Sequence, residues 1–247
     1  KKDAIINKNF LKLYKAFCPG PITFILNKKI NSKISKFANM DKKTIAVRIP
    51  KNLIARNLLK ILKVPLAAPS ANISSRLSPT CAEDVVDEFG NKLKFILDGG
   101  KCKIGLESTI VDLTGKPIIL RQGAITAKDI SKILKKKITF KKKTKSIKSP
   151  GQLNWHYYPG IPVTINKMHA GKDEAFITFG KKYKSAKNSF NLSKNSNLEE
   201  AANNLYKLMR KIKKKGFKSI AICKIPNYGI GKAINERLKK ASYKWKK

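Results

Sequence analysis

The run PLAAPSAN, residues 65–72, decides how this chain is interpreted, together with the run GLEST at residues 105–109. In the first run an apolar stretch is followed by small residues, which let the backbone and the short side chains of Ser70 and Asn72 approach a ligand closely. In the second run a glycine turn precedes a carboxylate and two hydroxyls, of which Ser108 is the first. Two loops of this kind in one sheet predict a shared polar pocket on an α/β scaffold. Each loop taken alone is also consistent with an ordinary turn.

The segments around the two loops predict a mixed sheet covered by helices. Buried strands are short apolar runs bounded by Gly or Pro, whereas helices show apolar positions every three to four residues. The two patterns interleave without strict alternation, and a mixed sheet is therefore expected. Strands are predicted at residues 22–26, 44–49, 66–68, 95–97, 108–113 and 118–120, and helices at 3–17, at 52–62 and from Ser78 onwards.

The second half of the chain predicts a smaller, separate domain. Residues 134–149 are almost all Lys, Thr, Ser and Ile and end at a Ser-Pro-Gly sequence, which predicts an interdomain linker. We therefore divide the chain into a first domain at 1–133, a linker at 134–160 and a second domain at 161–247. Within the second domain a parallel α/β arrangement is expected, with strands at 161–165, 175–179 and 219–225 and helices at 198–215 and 231–241.

The charge of the chain suggests a polyanion partner, but its make-up weakens that suggestion. The 247 residues include 55 Lys and Arg against 15 Asp and Glu, a formal net charge of +40, and six of the 55 are Arg, which leaves 49 Lys. Such a bias, spread over the whole chain, predicts an ordinary solvated surface, with attraction for RNA or another anion as the alternative. Weak, salt-sensitive RNA binding is expected in both cases and does not separate them.

The few arginines mark candidate binding positions. In a chain that prefers Lys so strongly, an Arg is expected where a planar, two-pronged donor is needed. Arg48, Arg76 and Arg121 lie in or beside the loop motifs, whereas the other three fall on predicted helices. An ion pair within the fold is the alternative explanation for each loop arginine.

An aromatic loop lies between the two predicted domains. Residues 151–160 read GQLNWHYYPG and hold His156 and Tyr157 between two Pro or Gly breaks. This loop is expected either to dock the domains or to cover a bound base by stacking. Catalysis by a Ser-His or Cys-His pair is not indicated, because no nucleophile elbow lies beside His156.

Several classes of protein are excluded or disfavoured by missing signals. The four cysteines form no CxxC pair, so neither a zinc ribbon nor a disulfide framework is suggested. No apolar run reaches the ~20 residues of a membrane helix, and no signal-peptide pattern follows the Lys-rich start. A cytoplasmic enzyme is therefore expected. Residues 100–105 have the spacing of a phosphate-binding loop but lack the Lys and hydroxyl that should follow it.

Seven segments, in this order and at natural spacing, resemble the threonylcarbamoyl-AMP synthase family with its YrdC-like domain. Each segment alone is unspecific, whereas the ordered set is highly specific and covers nearly the whole chain. The last two segments resemble the linker and the carboxyl-terminal domain of the longer, two-domain members. The segments are KAFCPGPIT (15–23), TIAVRIP (44–50), PLAAPSANISSRLSPT (65–80), GLESTIVDLTG (105–115), ILRQGAIT (119–126), SPGQLNWHYYPGIPV (149–163) and YGIGKAINERLKKA (228–241).

The resemblance implies a nucleotidyltransferase that joins L-threonine, bicarbonate and ATP into threonylcarbamoyl-AMP and pyrophosphate, with Mg²⁺ accompanying the ATP. The product would feed threonylcarbamoyladenosine formation in tRNA through a downstream threonylcarbamoyl transferase complex. The implied fold is a twisted mixed sheet with a concave basic cavity, followed by a Rossmann-like domain. By motif match, the implied contacts of L-threonine are Arg48, Ser70 and Ser108. The implied contacts of ATP are Thr44, Asn72, Thr80, Arg121, His156 and Tyr157.

One departure from the family pattern leaves alternatives open. The family carries a TVYGL-like strand and a KxR-type basic motif before the PGP sequence, and neither is present in this chain. We therefore expect that an amino-terminal segment of several tens of residues is missing and that the chain by itself binds ATP poorly. The alternatives are a YrdC-like factor that binds double-stranded RNA or tRNA or acts in ribosome assembly, and an inactive remnant.

Overall fold

The computed structural model describes residues 2–140, 156–183 and 185–243. The chain forms two compact units, of which the first comprises Lys1–Pro69 and Glu107–Gln152, and the second Ser70–Leu106 and Leu153–Lys247. The loop that carries Ser70 therefore belongs to the same unit as the carboxyl-terminal half of the chain. The predicted division placed this loop in the first domain, at residues 1–133. Most of the predicted linker lies outside the described residues.

Helices and strands occur throughout the described part of the chain. In chain order they are α1 (Lys8–Phe17), β1 (Ile22–Asn27), α2 (Lys36–Asn39), β2 (Thr44–Val47), α3 (Leu53–Leu62), α4 (Ala82–Phe89), β3 (Thr109–Asp112), β4 (Ile118–Arg121), α5 (Ala127–Leu134), β5 (Thr139–Phe140), β6 (Val163–Ile165), β7 (Glu174–Thr178), β8 (Ser189–Asn191), α6 (Leu198–Lys214), β9 (Ser219–Ile222) and α7 (Gly231–Ala241).

The first unit is built on a five-stranded mixed sheet in the order β2-β1-β3-β4-β5. β1 runs antiparallel to β2 and parallel to β3, and β3 runs antiparallel to β4. The core combines apolar residues of the central strands with the inward faces of α1 and α5. α1 begins where the Asn7 side chain accepts a hydrogen bond from the Phe10 amide, and α5 begins at a capping box of Thr126 and Asp129. The predicted mixed sheet is confirmed.

Two of the predicted strands are wrong. Residues 66–68 and 95–97 form neither strand nor helix, and Leu66 and Phe95 are 47% and 91% exposed. A run of three apolar residues forms a strand only where a neighbouring strand satisfies its backbone groups, and no strand of the described residues pairs with either run. The helix predicted from residue 3 begins at Lys8, where Asn7 caps it.

Within the described part of the chain, the apolar face of helix α3 is only partly covered. Its apolar residues recur at helical spacing, yet none of its ten residues is buried. Leu53 and Ile61 are 69% and 77% exposed. Only a face that is covered gains the full free energy of apolar burial, about 25 cal/mol per Å².

The second unit contains a four-stranded, entirely parallel sheet in the order β6-β9-β7-β8. Its central strands β7 and β9 are buried apolar runs, as expected for parallel strands. The buried faces of α6 and α7 contribute to the apolar core of this unit. The predicted parallel α/β arrangement is confirmed, although β8 was not predicted. No helix in the described ranges has the length and apolarity needed to cross a membrane.

Candidate active site

Three of the predicted site residues meet at one edge of the five-stranded sheet. Arg48 follows β2, Ser108 precedes β3, and Arg121 ends β4. Because β1 is antiparallel to β2 and parallel to β3, the end of β2 and the start of β3 lie beside the amino-terminal end of β1. The antiparallel pairing of β3 with β4 brings the end of β4 to the same place. Sheet topology therefore brings the backbones of Arg48, Ser108 and Arg121 to the same end of the sheet.

Ser108 is the centre of this edge. It is 3% exposed and accepts two hydrogen bonds from the Arg121 guanidinium. The Arg121 Nε donates to the Ser108 carbonyl oxygen at 3.0 Å, and Nη2 donates to the Ser108 Oγ at 3.1 Å. The Ser108 Oγ also lies 2.7 Å from Thr23 Oγ1. A hydroxyl has one donor and two acceptor positions, so a further position remains for a ligand atom. The double contact fixes the plane of the Arg121 guanidinium.

Thr23 is a further candidate site residue, which the sequence interpretation missed. It lies in the KAFCPGPIT segment but was treated only as part of a strand. The sequence feature that could have identified Thr23 is its position near the start of β1, next to the predicted start of the strand that contains Ser108.

Thr44 lies apart from these residues. It begins β2, four residues before Arg48, and its partner in the sheet is Asn27 at the far end of β1. At about 3.3 Å per residue, Thr44 is roughly 13 Å along the strand from Arg48. Its carbonyl oxygen accepts a hydrogen bond from Asn39 at 3.3 Å. The predicted contact between Thr44 and ATP stays a prediction.

In the second unit the loop that follows Ser70 forms a turn organised by Asn72. The Asn72 Nδ2 donates to the carbonyl oxygens of Ile73 at 2.8 Å and Arg76 at 3.3 Å. Its Oδ1 is buried and accepts no hydrogen bond from any described residue. A buried acceptor without a donor is costly, so this oxygen is suited to a donor group of a ligand. Ser70 is exposed at the start of the turn.

Thr80 lies two residues before α4, whose N-cap residue is Cys81. Its amide and its Oγ1 both donate to Asp84 Oδ2, at 2.7 and 2.9 Å, and it is 2% exposed. The neighbouring Cys81 is not an activated thiol. Burial, followed by its hydrogen bond to Glu83, raises the pKa of Cys81, and the same hydrogen bond lowers the pKa of Glu83. Nucleophilic catalysis by this thiol is therefore disfavoured at neutral pH.

His156 and Tyr157 belong to the second unit as well. Tyr157 is 1% exposed and stacks on Tyr206, with ring centroids 5.9 Å apart. The Tyr157 amide donates to His156 Nδ1 at 3.0 Å, which leaves Nε2 as the nitrogen that can donate to a ligand. Tyr157 thus packs inside the unit, and its predicted contact with ATP stays a prediction. Trp155 of the same loop lies outside the described residues.

Arg210 on α6 holds α4 and the turn together. Its Nη2 donates to the Leu77 carbonyl oxygen at 2.6 Å, and its guanidinium lies 3.4 Å from Glu88 and 3.6 Å from Asp84. Glu88 in turn accepts a hydrogen bond from the Ile73 amide at 3.1 Å. The sequence interpretation treated Arg210 as an ordinary helix residue.

We expect Arg210→Met to lower the free energy of unfolding by about 2 kcal/mol, because two nearly buried carboxylates lose their cation. Lys214→Met is the matched control on the same helix. Its ion pair with Asp87 is solvent-exposed, so no measurable change is expected. Urea denaturation of both variants checks the prediction, and equal midpoints for the two would contradict it.

Comparisons with known proteins cover both halves of the chain. The family model described as Telomere recombination, for the Sua5, YciO and YrdC proteins, matches residues 1–123. The model described as Threonylcarbamoyl-AMP synthase, C-terminal domain, matches residues 125–242. The threonylcarbamoyl-AMP synthase of Pyrococcus abyssi is 33% identical over 248 residues, which make up 93% of this chain and 72% of the relative. The chain belongs to the threonylcarbamoyl-AMP synthase family.

Further relatives agree with this family. The threonylcarbamoyl-AMP synthase of Bacillus subtilis is 31% identical over 250 residues, again 93% of this chain and 72% of the relative. A crystal structure of Pyrococcus abyssi Sua5 complexed with L-threonine superposes with a TM-score of 0.86 at 31% identity, covering 98% of this chain and 76% of that chain. The predicted threonylcarbamoyl-AMP synthase family and the predicted fold class are thereby confirmed, and the comparisons favour the enzyme over an RNA-binding factor.

Proposed function

We propose that this chain catalyses the synthesis of threonylcarbamoyl-AMP and pyrophosphate from L-threonine, bicarbonate and ATP. The observation that carries the proposal is the match to the Pyrococcus abyssi synthase, which extends along 93% of this chain. The crystal structure that superposes with a TM-score of 0.86 is a complex with L-threonine. Similarity in both sequence and fold therefore supports L-threonine as a substrate.

For L-threonine we propose contacts from Arg48, Ser70 and Ser108. A guanidinium binds an amino-acid carboxylate with two parallel hydrogen bonds, which suits Arg48 at the sheet edge. The Ser108 hydroxyl is already oriented by Thr23 and Arg121. Because its contacts are fixed before any ligand binds, little ordering cost remains for a substrate hydrogen bond.

For ATP we propose contacts from Arg121 and Asn72, assisted by Thr44, Thr80, His156 and Tyr157. The buried Asn72 Oδ1, which accepts no hydrogen bond from a described residue, matches a donor such as an adenine amino group or a ribose hydroxyl. His156 can donate from Nε2 to a phosphate oxygen, since its Nδ1 accepts the Tyr157 amide. The Asn72 amide would thus serve the turn through Nδ2 and the nucleotide through Oδ1.

The chemistry calls for charge neutralisation and positioning. The amine of L-threonine first adds to the carbon of bicarbonate, and water is lost, which gives the threonine carbamate. A carbamate oxygen then attacks the α-phosphorus of ATP, the bond from that phosphorus to the bridging oxygen breaks, and pyrophosphate leaves with the bonding electrons. Such a displacement requires no covalent enzyme intermediate. Arg121, with its plane fixed by Ser108, is suited to the negative charge on the phosphoryl oxygens.

Magnesium is proposed to arrive bound to ATP. No group of three His, Cys, Asp or Glu side chains among the described residues could hold a metal ion. Hydroxyls and phosphate oxygens suit Mg²⁺, which usually keeps several waters and is bound largely through substrate phosphates.

The product defines the next reaction. A threonylcarbamoyl-adenylate is an activated acyl group, so we propose a tRNA threonylcarbamoyl transferase complex as the downstream partner and the cytoplasm as the location. Weak RNA binding is expected from the +40 net charge and should fall steeply with added salt.

The proposal predicts release of pyrophosphate that depends on L-threonine. The chain is incubated with ATP, Mg²⁺, bicarbonate and L-threonine, and pyrophosphate and the threonylcarbamoyl-adenylate are quantified, with omission of L-threonine as the control. Binding of each substrate is measured separately by calorimetry. Equal pyrophosphate release with and without L-threonine, together with no heat of binding for ATP or L-threonine, would overturn the proposed function.

A further inference from the structure

Arg237 on α7 is a charged side chain buried inside the second unit. It is 1% exposed, and its guanidinium carbon lies 5.6 Å from the centroid of the Tyr157 ring. Its Nη1 makes long contacts of 3.5 Å with the Ala233 carbonyl oxygen and with Glu236 Oε2. Burying a guanidinium is costly, and an apolar side chain of similar volume often fills such a position equally well. The cation–π contact links this buried charge to the ring of Tyr157, the residue next to His156.

Tyr157 is held in an unusual backbone conformation. Its φ of 64° lies in the left-handed region, which non-glycine residues adopt only where the surroundings hold them there. The Tyr206 ring and the Arg237 guanidinium both pack against its ring. The same backbone turn presents the Tyr157 amide to His156 Nδ1. The orientation of His156 thus depends on how tightly Tyr157 is held.

The next residue joins this turn to the Asn72 loop. The Tyr158 amide donates to the Ser75 carbonyl oxygen at 2.9 Å, and Tyr158 forms an isolated parallel bridge with Arg76. Asn72 closes the same loop by donating to the Arg76 carbonyl oxygen. A continuous series of contacts therefore leads from Arg237 through Tyr157 and Tyr158 to Asn72.

We propose that Arg237 is a positioning residue that holds the Tyr157 ring and thereby fixes both His156 and the Asn72 loop for ATP. This proposal rests on the proposed function, in which His156 and Asn72 contact the nucleotide. Arg237 itself acts through Tyr157. An arginine suits this role better than an apolar residue because its planar cation attracts the face of the aromatic ring as well as packing on it.

Amide hydrogen exchange on the ligand-free chain tests the first half of the proposal. In Arg237→Met we expect the Tyr158 and Arg76 amides to exchange about thirtyfold faster, the factor that a desolvated cation–π contact corresponds to. The amides of β7 and β9 should keep the protection from exchange that they have in the wild-type chain, relative to the rest of the second unit. Ile177→Val, a buried change in β7, is the control and should leave the ratio of Tyr158 to β7 exchange unchanged. Arg237→Lys keeps the charge but loses the planar face, so its Tyr158 and Arg76 amides should exchange at rates between those of wild type and Arg237→Met. If Arg237→Met does not fold, the Arg237→Lys variant provides the test.

ATP affinity tests the second half. Calorimetry should show ATP binding weakened about fivefold or more in Arg237→Met and unchanged in Ile177→Val. A uniform rise in exchange across the whole second unit would reduce Arg237 to a stability residue and overturn the proposal, as would selective exchange at Tyr158 with unaltered ATP affinity. The exchange experiment needs no ligand. Failure of the proposed function, seen as absent ATP binding in the wild-type chain, is therefore distinguishable from failure of this inference.

Discussion

Arg121→Met should lower kcat/KM for ATP by about two to three orders of magnitude, the loss that removal of one preorganised donor to a developing oxyanion produces. Two effects add. The substitution removes the positive charge proposed to face the phosphoryl oxygens, and it releases Ser108, whose carbonyl oxygen and Oγ are both bound by the guanidinium. Pyrophosphate release dependent on L-threonine provides the rate, and calorimetry with ATP provides the binding component.

Two further variants separate charge from geometry. Arg121→Lys retains the charge but loses the two-pronged contact with Ser108, so an intermediate loss is expected. Arg56→Met, which removes an arginine of α3 that is not among the proposed substrate contacts, should leave kcat/KM unchanged. If Arg121→Met matched Arg56→Met in both rate and ATP affinity, Arg121 would have no part in the site.

Gly123→Ala should destabilise the first unit by at least about 3 kcal/mol, the upper range for overpacking. A Cβ at Gly123 would lie 2.5 Å from the Thr109 amide nitrogen and 2.6 Å from the Glu107 carbonyl oxygen. These are backbone atoms at the start of β3, which cannot rotate aside as a flexible side chain can. Relief of the clash moves the residue between them, Ser108, and so we expect L-threonine binding to fall together with stability.

Gly115→Ala is the matched control, since no atom lies within 4 Å of a Cβ at that position. It should be neutral, or slightly stabilising because alanine reduces the conformational entropy of the unfolded chain. Urea denaturation gives both free energies of unfolding. Equal urea midpoints for Gly123→Ala and Gly115→Ala would show that β3 can shift without a cost in stability. This result would contradict the prediction that Gly123 packs too closely against β3 to accept a Cβ.

The sequence predicted those parts of the fold that depend on local pattern. Buried strands such as Ile22–Asn27 and Thr109–Asp112 and the long helix Leu198–Lys214 were found because their periodicity or apolar runs are strong. Residues 66–68 and 95–97 were assigned wrongly because three apolar residues carry no information about whether a partner strand is present.

The candidate site was predicted only in part, for a related reason. Motif matching pointed to Ser108 and Arg121, and the structure adds the double hydrogen bond between them. Thr23, Arg210 and Arg237 escaped because their roles arise from contacts with residues far away in the sequence. A lysine-rich chain gives a weak signal that an arginine is special, but it does not say what the arginine contacts.

The exposed apolar residues of α3 have a practical consequence for handling the protein in solution. Mutual repulsion among the many ammonium groups keeps copies apart at low ionic strength. Added sulfate screens that repulsion. It also strengthens the hydrophobic association of exposed apolar residues such as Leu53 and Ile61. The protein should therefore salt out early, and chloride at modest concentration is the better choice for concentrating it.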